Sequence, residues 1–257
     1  MLKQVWQEAL PKDTLSFDVL AVPRQPPQLL TLDELRIHFW QWDNNEWRLI
    51  RSHPHRLQRD LYVVQPNHEG KIQIFTDGAS WLWSEKELVS DIPSRTVPIG
   101  KLLDKDGVAR IICYDHQEQA PYYYVLEKPL FHDQFYLTPE DLLGGEIQSL
   151  VMQIPRSATQ WNTFYVNGYR FVCLLRASER APTRICGVAQ DRVAVLEIKQ
   201  GRLLLLHRVA LPSIRAPRRE SPLCVRYGDP KHEKATRLLV MQATRERVLL
   251  TAFALDS

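Results

Sequence analysis

Glycine is scarce in this chain, with 10 residues in 257, and no stretch of about 18 apolar residues occurs anywhere in it. The first scarcity argues against glycine-rich phosphate cradles. Neither a P-loop nor a G-x-G-x-x-G is present, and no serine sits in a G-x-S-x-G turn. The second excludes a membrane-spanning helix. Met1 to Leu10 carries Lys3, Gln4, Gln7 and Glu8 and lacks the apolar core of a secretory leader, so the expectation is a soluble, cytoplasmic protein. The four cysteines, Cys113, Cys173, Cys186 and Cys224, contain no C-x-x-C pair. Zinc sites usually take two ligands from one short loop, so neither a metal nor a cofactor is expected. Reduced, hydrophobe-like thiols in apolar surroundings such as Phe171-Val172-Cys173-Leu174-Leu175 are the natural reading.

What is present is an ordinary globular composition, 44% hydrophobic and 25% charged, with 17 prolines. The charge is unevenly spread. Residues 1–155 hold 15 basic and 22 acidic side chains, a balance of −7; residues 156–257 hold 18 and 8, a balance of +10. Fifteen of the 18 are arginine, whose planar fork suits phosphate and carboxylate. Such a split points either to nucleic acid or an acidic partner, or to halves that neutralise each other.

The pattern along the chain is that of antiparallel hairpins. Arg36 to Trp42 alternates, with Ile37, Phe39 and Gln41 on one face and His38, Trp40 and Trp42 on the other. Asp43-Asn44-Asn45 turns the chain back into Trp47 to Arg51. Asp77-Gly78 and Asn167-Gly168 are signatures of the type I′ turn, which needs positive φ at both central positions. Runs at 16–22, 61–65, 71–76, 79–83, 95–99, 108–114, 122–127, 163–166, 169–175, 193–198, 202–209, 238–243 and 247–255 read as further strands. Thr31 to Glu34 reads as a short helical turn or bend and Pro212 to Glu233 as a long exposed loop. One helix is expected from Thr138-Pro139-Glu140-Asp141, an N-cap with proline at the first helical position. The expected fold is mainly β: an acidic antiparallel meander domain over 1–137, a linking helix over 138–156 and a basic hairpin domain over 157–257. Hairpins at this spacing suit a barrel, a sandwich or a partial propeller.

Candidate chemistry is thin. Ile74-Phe75-Thr76-Asp77-Gly78-Ala79-Ser80 resembles the first-strand motif of the ribonuclease H family, which implies a metal-binding role for Asp77. The resemblance covers seven residues. The following Trp81-Leu82-Trp83-Ser84-Glu85 departs from the family's glycine-containing second strand, and a D-G hairpin turn accounts for the same letters. His53-Pro54-His55, with Asp60 and His68, has metal-like composition, but Arg51, Arg56 and Arg59 surround it and a polar turn is expected. Asp115-His116 and His132-Asp133 point their members to opposite faces of a strand, so neither doublet is a dyad by itself.

Three functions therefore compete. The leading expectation is a non-catalytic interaction subunit or adaptor of an intracellular complex, with a protein partner met by Trp40, Trp42, Trp47, Trp81 and Trp83. The second is a nucleic-acid-binding protein using Arg202, Arg208, Arg215, Arg218, Arg219, Arg226, Lys231, Lys234 and Arg237. The third is an enzyme of unrecognised type.

Overall fold

A computed structural model describes residues 2–22, 24–55, 61–64, 72–76, 80–83, 88–90, 97–103, 109–115, 120–124, 134–136, 164–166, 169–175, 184–189, 192–199, 202–211, 223–232 and 237–255. Its elements among these residues are all strands, and every described pairing is antiparallel. The mainly β class read from the sequence is the class observed. The helix expected at 138–156 lies outside the described residues.

The strands form successive sheets in chain order. After β1 (Leu2–Leu10) comes a four-stranded meander of β2 (Ser16–Leu20), β3 (Gln28–Leu32), β4 (Arg36–Asp43) and β5 (Glu46–Pro54). A second contains β6 (Leu61–Val64), β7 (Ile72–Thr76), β8 (Ser80–Trp83) and β9 (Leu88–Ser90). A third contains β10 (Val97–Leu103), β11 (Ala109–Asp115), β12 (Ala120–Tyr124) and β13 (Gln134–Tyr136). The fourth has five strands: β14 (Phe164–Val166), β15 (Tyr169–Leu175), β16 (Arg184–Ala189), β17 (Arg192–Lys199) and β18 (Arg202–Ala210). The last sheet takes β19 (Leu223–Gly228), β20 (Arg237–Ala243) and β21 (Val248–Leu255) in sequence and adds β1 beside β21. A four-stranded antiparallel meander is the unit from which propeller blades are built.

By contacts the chain divides into two units, one of Met1–Val63, Phe75–Asp77 and Pro212–Ser257, the other of Val64–Ile74 and Gly78–Leu211. The first unit holds both ends of the described chain, and its core is well defined. Phe17, Val19 and Leu29 pack with Leu10 of β1 and with Cys224, Leu239, Met241, Ala243, Val248, Leu250 and Ala252 of the last sheet. Trp6, Trp40 and Trp47, each half-buried, lean on this cluster. In the second unit Val193, Ala194 and Val195 of β17 and Trp81 of β8 are buried.

Local sequence explains the β4–β5 hairpin. Asn44 and Asn45 both take positive φ, 49° and 65°, so its turn has the backbone of a type I′ hairpin, tolerated here by asparagine. Ile37 and Phe39 are fully buried, as alternation predicts. Of the helical turn or bend expected over 31–34, the bend is found: Thr31 and Leu32 end β3, and Asp33 then accepts hydrogen bonds at Oδ1 from the N–H groups of Leu35 and Arg36. One expectation is corrected: within the expected loop 212–233 lies β19, whose alternate residues Cys224 and Arg226 are buried.

Candidate functional site

Of the described residues that the sequence singled out for binding, Trp40, Trp42, Trp47, Arg226, Lys231 and Arg237 belong to the first unit, and Trp81, Trp83, Arg202 and Arg208 to the second. Their surroundings differ sharply. Arg226 is buried and ionically engaged. Its Nη2 donates to Leu61 O at 2.7 Å and to Ser16 Oγ at 3.4 Å, and its Nε stands 3.8 Å from Asp18 Oδ2. Asp18 is fully buried and accepts the N–H groups of Val19 (2.8 Å) and Val63 (2.7 Å). This guanidinium ties β2, β6 and β19 together, which removes it from any exposed basic face.

Arg237 lies with its Nε 3.6 Å from Asp229 Oδ2. Asp229, buried, also accepts the Lys231 N–H at Oδ1 (2.9 Å), and its Oδ2 pairs with His232 Nδ1 at 3.1 Å. Gly228, just before it, has φ of 147° and packs so closely that an added Cβ would stand 3.1 Å from Val19 Cβ. The turn after β19 is therefore fixed at both ends, and it aims Lys231 inward.

The Lys231 ammonium sits over aromatic rings: 3.3 Å from the Trp42 centroid, 4.7 Å from Trp6 and 5.9 Å from Trp47. It donates to Glu8 Oε1 at 2.6 Å. Trp42 and Trp47 meet edge to face with centroids 4.9 Å apart. Tryptophan faces present negative charge, so three of them and a carboxylate make a receptor for a cation. The Nε1 atoms of Trp6 and Trp47 are buried without a hydrogen-bond partner among the described residues. Trp6 and Glu8 come from β1, which sequence reasoning did not read as a strand. Its one signal is the spacing of Trp6, Glu8 and Leu10, which puts them on one side.

The other expected interface aromatics are placed differently. Trp40 donates from Nε1 to Thr31 Oγ1 at 2.8 Å. Trp81 is buried, and Trp83 is half-buried. Arg208 is exposed on β18. Arg202 opens that strand, opposite Lys199. Arg215, Arg218, Arg219, Lys234, Asp77, His68, His116 and His132 lie outside the described residues.

A third grouping went unnoticed in the sequence. Asp33 Oδ2 stands 2.7 Å from His38 Nε2, and His38 Nδ1 stands 2.7 Å from Ser52 Oγ. A carboxylate only accepts, so Nε2 carries the hydrogen, and in the neutral ring Nδ1 accepts the Ser52 hydroxyl. His38 and Ser52 are register partners across β4 and β5, so the hairpin alone brings them together. Burial pushes the Asp33 carboxyl up, but hydrogen bonds from His38, Leu35 and Arg36 and the charge of His38 outweigh it and hold it below its usual range. His55 bonds to Asp33 O at 2.9 Å. His53 is the penultimate residue of β5, a strand where a turn was expected. Burial, then His55 and Arg51, push its pKa down. Among the described residues no group of three His, Cys, Asp or Glu side chains is placed to hold a metal ion.

On the outer strand of its sheet, β5 exposes Leu49 (47%) and Ile50 (45%), and Leu35 in the adjoining bend is 65% exposed. The register slips between Phe39 and Trp40, which face Arg51 and Leu49, so Ile50 is the extra residue of a bulge.

No protein-family profile and no curated protein matches the chain. Among solved structures it is similar to the Malassezia sympodialis allergen Mala s 1, at 8% identity and TM-score 0.45, covering 94% of this chain and 78% of that one. It is also similar to a humanized mutant of the Chaetomium thermophilum Polycomb Repressive Complex 2, at 8% identity and TM-score 0.48, covering 95% and 70%. A third likeness is to a gluconolactonase-family structure, at 13% identity and TM-score 0.42, covering 96% and 91%. At these values function has to be argued from the residues. No helix among the described residues is long and apolar enough to cross a membrane.

Proposed function

We propose that the protein is a non-catalytic interaction subunit of a cytoplasmic complex, and that it meets its protein partner on the outer face of the β4–β5 hairpin. The observation that carries this reading is the pair Leu49 and Ile50, large apolar side chains left exposed on an outer strand. An outer strand presents unpaired backbone groups, and chains usually blunt it with charge or a bulge. Here the bulge at Ile50 interrupts continuous strand addition while apolar side chains remain outside, a combination suited to side-chain docking rather than to indefinite strand pairing.

The test is a photo-crosslinking residue at position 50 of the full chain in its native cells. A single crosslinked protein is identified and purified, and its affinity for the wild type is compared with that for Leu49→Asp/Ile50→Asp. The expected result is a loss of at least tenfold with unchanged thermal unfolding. Equal affinity, or no crosslinked protein, overturns the reading.

A second reading, an enzyme, is favoured by one observation: the Asp33–His38–Ser52 chain has the order of orienter, base and nucleophile used in acyl transfer. It predicts that the purified chain hydrolyses activated aryl esters and that Ser52→Ala abolishes this. Hydrolysis equal in the two proteins leaves the relay as a tie between the bend and the hairpin.

A further inference from the structure

We infer that Trp6, Trp42, Trp47 and Glu8 form a receptor for a methylated lysine of a partner protein, which Lys231 fills in the free chain as a built-in competitor. The inference rests on the interaction reading above and names the group that this surface selects.

Cage and occupant are imperfectly matched. An unmethylated ammonium is a compact, strongly hydrated charge with three N–H donors. In this cage one donor is used by Glu8 at 2.6 Å, and ring faces at 3.3 Å and 4.7 Å from the nitrogen accept hydrogen bonds poorly. The Lys231 side chain is only 7% exposed, so water replaces those lost bonds to a limited extent. A dimethylated ammonium suits the same residues better once it stands farther from Trp42 than the 3.3 Å of the Lys231 nitrogen, because each methyl carbon needs about 3.5–4 Å to a ring carbon. It keeps one N–H for Glu8, spreads its charge over its methyl groups, and is more weakly hydrated. Quaternary and methylated ammonium groups are the usual guests of tryptophan cages.

Lys231 holds the cage through its position rather than through an ideal fit. Asp229 fixes the turn by accepting the Lys231 N–H, and Gly228 fixes the approach against Val19. An intramolecular guest acts at an effective concentration of the order of millimolar, enough to exclude weak ligands. A partner that also docks on β5, whose hairpin carries Trp42 and Trp47, brings its own lysine at a comparable effective concentration. Methylation then decides the exchange. The walls of the cage come from β1 and the β4–β5 hairpin and its occupant from the turn after β19, all within the first unit.

The test uses the full-length Lys231→Ala protein and Nε-dimethyl-lysine amide, followed by tryptophan fluorescence, with lysine amide as control. The expected result is a saturable change with the dimethyl probe and an affinity at least tenfold weaker for lysine amide. Wild type should respond at least tenfold more weakly than Lys231→Ala, and Lys231→Ala/Trp42→Ala should not respond. No saturable change in a cooperatively folded Lys231→Ala protein, or equal affinity for the two amides, overturns the inference. Should Lys231→Ala lose cooperative unfolding, the full chain bearing Nε-dimethyl-lysine at position 231 decides. A melting temperature raised by about 2 °C or more supports the inference, and one unchanged or lowered overturns it. The amide touches the cage alone, so its failure leaves the β5 docking face to stand or fall by the crosslink at position 50.

Discussion

Asp18 is fully buried and Arg226 nearly so, and each answers the other across 208 residues of sequence. Neither was legible as a partner. Asp18 reads as the polar interruption of a short β run, and Arg226 as one of many arginines in a basic stretch. Only the closing of β19 onto β2 and β6 brings them within reach. A buried charge stripped of its partner is far costlier than a buried pair. Asp18→Ala leaves the Arg226 guanidinium in the core and the Val63 N–H without its acceptor, so urea unfolding should show a loss of about 3–5 kcal/mol. Asp18→Ala/Arg226→Met should lose less than the sum of its two single changes; additivity would mean that the two side chains do not sense each other. Asp33 shows the reverse balance at the surface. Its folded-state pKa lies below the usual value, so the unfolded chain takes up the proton first as pH falls. The contribution is fully present above the unfolded carboxyl pKa of about 3.9 and is lost as the pH drops through the lower folded value. Asp33→Asn should therefore melt below wild type at pH 7, and the gap should close as the pH falls below about 4. A gap independent of pH would remove the carboxylate as its cause.

Element by element, strands with strict alternation and a strong turn were the readable ones. The β4–β5 hairpin announced itself through Ile37, Phe39 and two asparagines, and β15 runs Tyr169–Leu175, the span its pattern suggests. Three kinds of strand escaped. In β1, Lys3, Gln4, Val5 and Gln7 are all exposed, so little apolar period is left to see. In β19 the inward Arg226 breaks the apolar pattern at its centre, and prolines and charges before it suggest a loop. In β3 the run Leu29–Leu32 is buried on both faces, which hides the period of two. Register carries a consequence that the cysteine spacing concealed. Cys173 and Cys186, 13 residues apart, are directly opposed on β15 and β16. Opposed residues of an antiparallel pair have Cα atoms about 4.5–5.5 Å apart, inside the range that a disulfide bridges. Mild oxidation followed by peptide mapping should link Cys173 to Cys186 in preference to Cys113 or Cys224. Linkage of any other pair would show that the register of β15 and β16 is shifted.

Across the whole molecule the informative quantity is where the charges go. The sequence separates an acidic N-terminal part from an arginine-rich C-terminal part, and alone this suits a phosphate surface as well as internal neutralisation. The described contacts favour neutralisation. Arg226 meets Asp18 and Lys231 meets Glu8, each a C-terminal cation on an N-terminal carboxylate, while Arg237 lies beside Asp229. Three of the nine basic residues expected to contact nucleic acid thus have carboxylate partners inside the first unit. That arrangement was hidden because β1 pairs with β21 and β19 packs against β2, which brings distant parts of the chain together, and composition carries no information about such contacts. Counterion release makes nucleic-acid affinity fall steeply with salt in proportion to the number of phosphates neutralised. Fluorescence anisotropy with single-stranded DNA, duplex DNA and RNA should therefore show at most weak binding at about 150 mM salt. Arg215→Ala/Arg218→Ala/Arg219→Ala should leave any residual binding and its salt slope within about one phosphate contact of wild type. Tight binding whose slope falls by two or three contacts in that triple variant would instead assign the basic stretch to nucleic acid, and would make the β5 docking face a secondary feature of the protein.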